Sequence, residues 1–186
     1  VVGLAAGTRT GDRVLKGRSP FADRVGEPIA SPLLTLVDDP TDPRSFGADS
    51  HDGEGLATRV NPLIDEGVLQ GFLHDGYTGR RSGTASTGSA VRSSRSTPAP
   101  GCQALVMVAG EQSPEALLAG IDRGLFVQSL NGLHSGVNAV SGDFSVGADG
   151  LMIRDGQLAE PVREITLAST LQRLLLGVVA VGNDLE

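Results

Sequence analysis

Residues 71–101 constrain the fold most. They read GFLHDGYTGRRSGTASTGSAVRSSRSTPAPG and carry four arginines, Arg80, Arg81, Arg92 and Arg95, among serines, threonines and six glycines. After Tyr77 the run has neither helical nor strand period, yet apolar, strand-like segments border it on both sides. An aperiodic stretch of this length inside a compact domain is usually a functional loop or disordered. We read it as a functional loop, around which the remaining chain has to close.

The bulk numbers limit what that chain can be. With 186 residues it is long enough for one good-sized domain that buries roughly 70% of its unfolded surface. Glycine accounts for 26 of those residues and aromatics for only 3%. That is about twice the usual ~7% glycine, without the three-residue period of collagen. Turns, bulges and close backbone approaches are expected instead. A net charge of −7 disfavours direct nucleic-acid binding, which needs a basic footprint. No apolar run reaches the ~18 residues of a membrane-spanning helix. The single cysteine, Cys102, excludes an internal disulfide and fits a reducing compartment. Val1 begins in mid-pattern without a leader or an initiating Met, and Asn183 to Glu186 follow directly on an apolar run. A fragment cut at both ends from a longer protein is the expectation.

Local signals give an α+β domain, β-rich, with mainly antiparallel short strands, a few helices and Gly-rich loops. A short helix is expected from Asp12 to Gly17, and another from the Ser19-Pro20 cap to Gly26, with Leu15, Phe21 and Val25 facing inward. Buried strands are expected at Leu33 to Val37 and Ala104 to Ala109. Strands at Thr58 to Val60 and Val68 to Leu73 flank a tight turn at Glu66-Gly67. Ser113-Pro114-Glu115 starts a helix closed by Gly124, and Leu125 to Leu130 suits a strand. Asp149-Gly150 and Asp155-Gly156 are hairpin signals. They predict a meander of Asp143 to Ala148, Leu151 to Arg154 and Val162 to Leu167. Leu167 to Val181 then returns to helical period, capped by Thr170.

Each chemical candidate has a plain structural reading beside it. Gly83 to Gly88 has the glycine spacing of a phosphate loop, but Ser89 stands where the lysine belongs. Arg80, Arg81 and the loop backbone could hold a carboxylate or a peptide backbone instead. Ser86 lacks the preceding glycine of a nucleophile elbow. His134 and Ser135, being adjacent, cannot easily build a triad with Asp143 by themselves. The acidic stretch Asp38, Asp39, Asp42, Asp49, Asp52 and Glu54 is interrupted by prolines and reads as a solvated loop rather than a calcium loop. His51, His74, His134 and Cys102 are the nitrogen and sulfur ligands available, and none lies at ligand spacing from another. Cys102 itself reads as a small apolar residue at a strand start.

Taken together, several of these segments resemble the TldD/PmbA family. The resemblance rests on Arg80-Arg81-Ser82-Gly83-Thr84-Ala85-Ser86-Thr87-Gly88 with Pro98-x-Pro100-Gly101, and on Gly132-Leu133-His134-Ser135-Gly136-x-Asn138. It extends to Ser141-Gly142-Asp143-Phe144-Ser145, to Val181-Gly182-Asn183-Asp184-Leu185, and to Asp38-Asp39-Pro40 and Asp52-Gly53-Glu54-Gly55. The matches run in order from about Gly17 to Leu185. The resemblance implies that residues 1–186 are the single C-terminal domain of a cytoplasmic zinc metallopeptidase built from two related subunits. Older naming calls members modulators of DNA gyrase.

In that family the TldD-type subunit carries a His-Glu-x-x-x-His zinc helix and a later Cys-Gly ligand segment, and the TldE/PmbA-type partner lacks the helix. Both regions would lie outside this chain. The wording around His134 and Asp143 is closer to the TldE/PmbA type, which implies a non-catalytic subunit completing a heterodimer with a TldD-like partner. Self-association through the same domain would be the homotypic form. No catalytic residue, metal ligand or cofactor is then expected in this chain, zinc being held by the partner or catalytic subunit. Arg80, Arg81, Thr84, Ser86, His134, Asn138 and Asp143 are the expected substrate-binding residues, lining a groove for an extended peptide or unfolded protein. The alternatives are a catalytic TldD-type subunit and a pure assembly module without a peptide site.

Overall fold

The computed structural model describes residues 8–184. In chain order its elements are α1 (Gly11–Leu15), β1 (Leu36–Asp38), β2 (Asn61–Asp65), β3 (Val68–Leu69), α2 (Gly76–Arg81), β4 (Ala90–Val91), β5 (Ala99–Pro100), β6 (Leu105–Met107), α3 (Pro114–Ala119), β7 (Arg123–Asn131), β8 (Asp143–Arg154), β9 (Gln157–Thr170) and α4 (Leu171–Leu176). The strands form three antiparallel sheets, ordered β3-β2-β1-β6, β4-β5 and β7-β8-β9. This is the expected α+β, mainly antiparallel class.

The first sheet carries the core. Leu36, Leu63, Ile64 and Leu69 point into it, with Phe21, Ile29 and Leu73 from flanking loops and Leu171 and Leu175 from α4. The turn between β2 and β3 is Glu66-Gly67, as expected, with φ of 44° and 82°. Two successive positive-φ residues match the twist of a two-residue hairpin. Strand β2 itself was not expected. It begins at Asn61, after the predicted Thr58 to Val60, and tolerates Pro62 because the register shifts between Leu36 and Val37 opposite it. Proline inside a sheet is accepted at such irregularities.

Tertiary pairing overrides several local signals. Ser19-Pro20 does not start a helix. Gly26 N–H donates to Leu69 O at 2.8 Å and Leu69 N–H to Glu27 O at 3.0 Å, drawing this segment along β3. Phe21 is buried as expected, but Leu15 and Val25 are exposed. Helix α3 ends at Gly120, since Arg123 and Gly124 already belong to β7, paired with Arg154 and Ile153. Asp149-Gly150 is not a turn. It lies inside the 12-residue β8 as a bulge. Asp149 accepts from Asn131 Nδ2 at 3.0 Å on β7 and from Glu164 N at 2.9 Å on β9. One carboxylate thus ties the irregular points of three strands together. Asp155-Gly156 is the true hairpin turn, with φ of 48° and 76°.

Strand β9 runs to Thr170, pairing with Asp143, and displaces the helix predicted from Leu167. Thr170 still caps α4, its Oγ1 accepting from Arg173 N at 3.1 Å. Within the polar run, the aperiodic reading misses α2, where Asp75 caps the helix by accepting from Thr78 N and Thr78 Oγ1, both at 2.7 Å.

The acidic stretch is not simply solvated. Asp38 is fully buried, and its Oδ1 accepts from Cys102 Sγ at 3.3 Å, Gln103 N at 2.9 Å and Ala104 N at 2.7 Å. Asp52, also buried, accepts from Glu54 N and Leu56 N at 2.9 Å each and from Ala90 N at 3.1 Å. Arg9 is buried without a hydrogen-bond partner for its guanidinium among the described residues, and that guanidinium sits 5.6 Å from the Phe21 ring centroid. Burial lowers its pKa to about 10.

Two stability outcomes follow from this geometry. Gly67→Ala forces a side chain into positive φ and places its Cβ 2.5 Å from Ala30 O; the expected loss in urea-denaturation stability is about 2 kcal/mol or more. Asp38→Ala strands buried donors on residues 102–104, at a cost of about 3 kcal/mol, whereas Asp38→Asn, which keeps an acceptor, loses less.

Candidate functional site

The predicted site residues fall into two groups. The first sits on α2 and the loop after it. Arg80 and Arg81 occupy the exposed last turn of α2, and Thr84 is exposed, with its N–H donating to Gly79 O at 2.9 Å. Ser86 is half-buried and anchors the loop: its hydroxyl donates to His74 O at 3.0 Å and accepts from Gly88 N at 3.1 Å. With its one proton committed to a carbonyl, Ser86 is built as a strut rather than a nucleophile.

His74, just upstream, is buried against Thr78, with Nδ1 3.3 Å from Thr78 Oγ1. That hydroxyl donates to Asp75, so it can only accept from His74, which places the imidazole proton on Nδ1. Burial holds the His74 pKa below its ordinary value, leaving the ring neutral at neutral pH. Gly11 of α1 lets the two helices meet here, since a Cβ on Gly11 would lie 2.3 Å from His74 Nδ1.

The second group lies between β7 and β8. Asn138 N–H donates to Asp143 O at 2.8 Å, and Asn138 Oδ1 accepts from Val140 N at 3.0 Å. Asp143 accepts from Ser141 Oγ at 2.6 Å. These bonds fold residues 132–143 into a compact loop on which Asn138 and Asp143 share an open depression. His134 is exposed and makes no side-chain hydrogen bond among the described residues, and Ser135 Oγ turns to Gly132 O at 3.4 Å. No hydrogen bond or ion pair among the described residues joins this group to the first.

Sequence reasoning missed a cavity beside the second group. It has a volume of about 410 Å³ and an apolar wall made by Val127 and Leu130 of β7, Phe144 and Val146 of β8, and Leu171 and Leu174 of α4. Arg13 of α1 and Asn138 stand among its lining residues. Only the alternation of Phe144 and Val146 hinted at this wall, because its residues come from three separate elements.

A zinc ion does not fit the residues described. No three His, Cys, Asp or Glu side chains among them are placed to share a metal. His51 Nδ1 is 2.9 Å from Ser50 Oγ on an exposed segment, and His74 is packed inside against Thr78. Cys102 donates its thiol proton to Asp38, and burial together with that carboxylate pushes its pKa well above the usual thiol range. A zinc ligand needs the thiolate.

The candidate residues can be set beside known proteins. Metalloprotease PmbA of Escherichia coli O157:H7 is 32% identical over 187 residues, covering 99% of this chain and 38% of that protein. A TldD homologue from Buchnera aphidicola is 30% identical over 178 residues, covering 95% of this chain and 36% of its own length. The crystal structure of TldE from Thermococcus kodakarensis superposes with a TM-score of 0.89 at 36% identity, over 96% of this chain and 40% of that one. The chain therefore spans about two fifths of the length of the relatives it matches. Since the family model described as the PmbA/TldA metallopeptidase C-terminal domain matches residues 1–186, the chain belongs to that family.

Proposed function

We propose that this domain is the TldE/PmbA-type, non-catalytic part of a two-subunit zinc metallopeptidase, where it lines a groove for an extended peptide and completes the dimer with a TldD-like partner. The observation that carries the reading is the free edge of β7. This nine-residue strand pairs on one side with β8 and has no partner strand on the other among the described residues. Its Val127 and Leu130 also open onto the apolar cavity. An unpaired strand edge beside apolar pockets suits an extended chain, whose backbone it can hydrogen-bond while alternate side chains enter the pockets.

The likeness to a chain named TldE, at 36% identity, supports the subunit type. In this reading the metal is held by another segment or by the partner, and the misfit of these residues to zinc supports it. In this reading Arg80, Arg81, Thr84 and Ser86 shape one wall of the groove or a subunit contact, and His134, Asn138 and Asp143 shape another. The compartment is the cytoplasm. No helix among the described residues is long and apolar enough to cross a membrane. The acidic net charge of −7 favours peptide or unfolded protein over nucleic acid as the substrate.

A catalytic TldD-type subunit is the second reading, favoured by the 30% identity to a TldD homologue. Metal analysis of the full-length protein separates the two. We expect substoichiometric zinc in the protein purified without its partner, and one bound zinc per chain under those conditions would overturn the TldE-type assignment. In the reconstituted complex, Arg81→Ala is expected to lower kcat/KM for an unfolded peptide by roughly tenfold, the scale of one lost charged hydrogen bond. Unchanged turnover with intact assembly would leave the Arg81 loop a structural role only.

A further inference from the structure

Among the described residues, the apolar cavity has one charged lining residue, Arg13. It lies in the last turn of α1, half-buried. Its guanidinium enters no ion pair or hydrogen bond among the described residues, whereas its neighbours Asp12 and Lys16 pair with each other at 3.2 Å. Asn138, also in the lining, uses its Oδ1 on the backbone of Val140 and Ser141 and leaves its Nδ2 without a partner among the described residues. Beside the Ser169 hydroxyl, the cavity thus presents the Arg13 guanidinium and the Asn138 Nδ2 as donors, and no carboxylate is among its described lining residues. An amine or guanidinium would meet repulsion here, and a wholly apolar ligand would bury the donors unpaired. A carboxylate would satisfy both, with Arg13 offering the paired geometry that suits it.

The wall opposite is suited to an apolar side chain. Val127 and Leu130 are three residues apart on β7, a spacing that normally sends side chains to opposite faces. The register shift between Val127 and Ser129 brings them to the same cavity. Phe144 and Val146 of β8 and Leu174 of α4 complete the surface. The volume of about 410 Å³ lies within the range of small-ligand sites, ~300–1,000 Å³. Part of this wall belongs to β7, the strand with the free edge.

We propose that this cavity seats the C-terminal residue of an extended peptide, its apolar side chain against Val127, Leu130 and Phe144 and its terminal carboxylate on Arg13 and Asn138 Nδ2. The proposal rests on the peptide-groove reading and adds a preference to it: substrates or products ending in a free carboxylate after a Leu- or Phe-sized residue. A product of peptide hydrolysis carries such an end, so occupancy would also make short apolar products inhibitory.

Calorimetry on the full-length protein tests this, with three probes: N-acetyl-Ala-Phe-Leu as the free acid, the same peptide as its C-terminal amide, and decanoate. The free acid is expected to bind at least tenfold more tightly than the amide, and Arg13→Gln to abolish that difference. The acid–amide comparison on the unaltered protein needs no variant, so it decides the matter even where Arg13→Gln folds poorly. Leu174→Trp, which fills the well, is expected to weaken the acid peptide by a similar factor. Equal binding of acid and amide, a difference that survives Arg13→Gln, or binding of neither would overturn the proposal. Tighter binding of decanoate with the same Arg13 dependence would overturn the peptide assignment in favour of a lipid acid. Peptide turnover by the complex with its partner is read separately. Turnover without acid preference sinks the cavity proposal alone, and acid preference without turnover sinks the peptidase reading alone.

Discussion

Buried carboxylates that accept backbone N–H groups are the interaction on which the rest of this structure depends. The chain encloses long irregular segments, and irregular backbone brought inside must still satisfy its donors. Asp38 does this for residues 102–104, Asp52 for residues 54, 56 and 90, and Asp75 for the first turn of α2. Each is buried, and the first two bridge segments far apart in sequence. Asp38 holds β6 beside β1. Asp52 holds the start of β4 beneath the acidic loop. Without these acceptors the Gly-rich connections would have no regular partner to close against.

Helix α4 links this scaffold to the cavity. Leu171 and Leu175 pack into the core under the first sheet, while Leu174 faces the cavity. Its ends are tied by backbone bonds, Leu171 N to Gly142 O at 2.8 Å and Ser31 N to Leu175 O at 2.9 Å. The loop carrying Asn138 and Asp143 is thereby positioned by the same helix that completes the core. On the other side, the contact of Gly11 with His74 sets α1 against α2, so that Arg13 and the Arg80-Arg81 turn belong to adjoining helices. Core packing and site geometry share their supports.

Family membership gives this arrangement a context without assigning roles to individual residues. Relatives named PmbA, TldD and TldE all match over nearly the whole chain. The shared domain is therefore common to relatives bearing each of these names, and whatever distinguishes them involves more than this fold. Three chemically capable side chains are engaged in structure, Cys102 with Asp38, His74 with Thr78 and Ser86 with the His74 carbonyl, whereas His134 is exposed.

The sequence alone settled those features whose physics is local. The α+β class, the Glu66-Gly67 and Asp155-Gly156 turns, the caps at Ser113 and Thr170 and the family resemblance were legible because each depends on neighbours a few residues apart. Features that failed were those where distant pairing outweighed local preference. Asp149-Gly150 looked like a turn until Asn131 and Glu164 flanked it, and the Leu167 to Thr170 stretch kept strand form because β8 lay alongside. Asp38 and Asp52 looked solvated because their donors lie up to 66 residues away. The candidate site divides the same way. Its polar residues could be named from their motifs, but the cavity, the Arg13 in its lining and the side-by-side placement of Val127 and Leu130 exist only once a bulge and five separate elements meet. Local chemistry is written in adjacent residues; enclosure is a property of surfaces that the chain brings together only by folding.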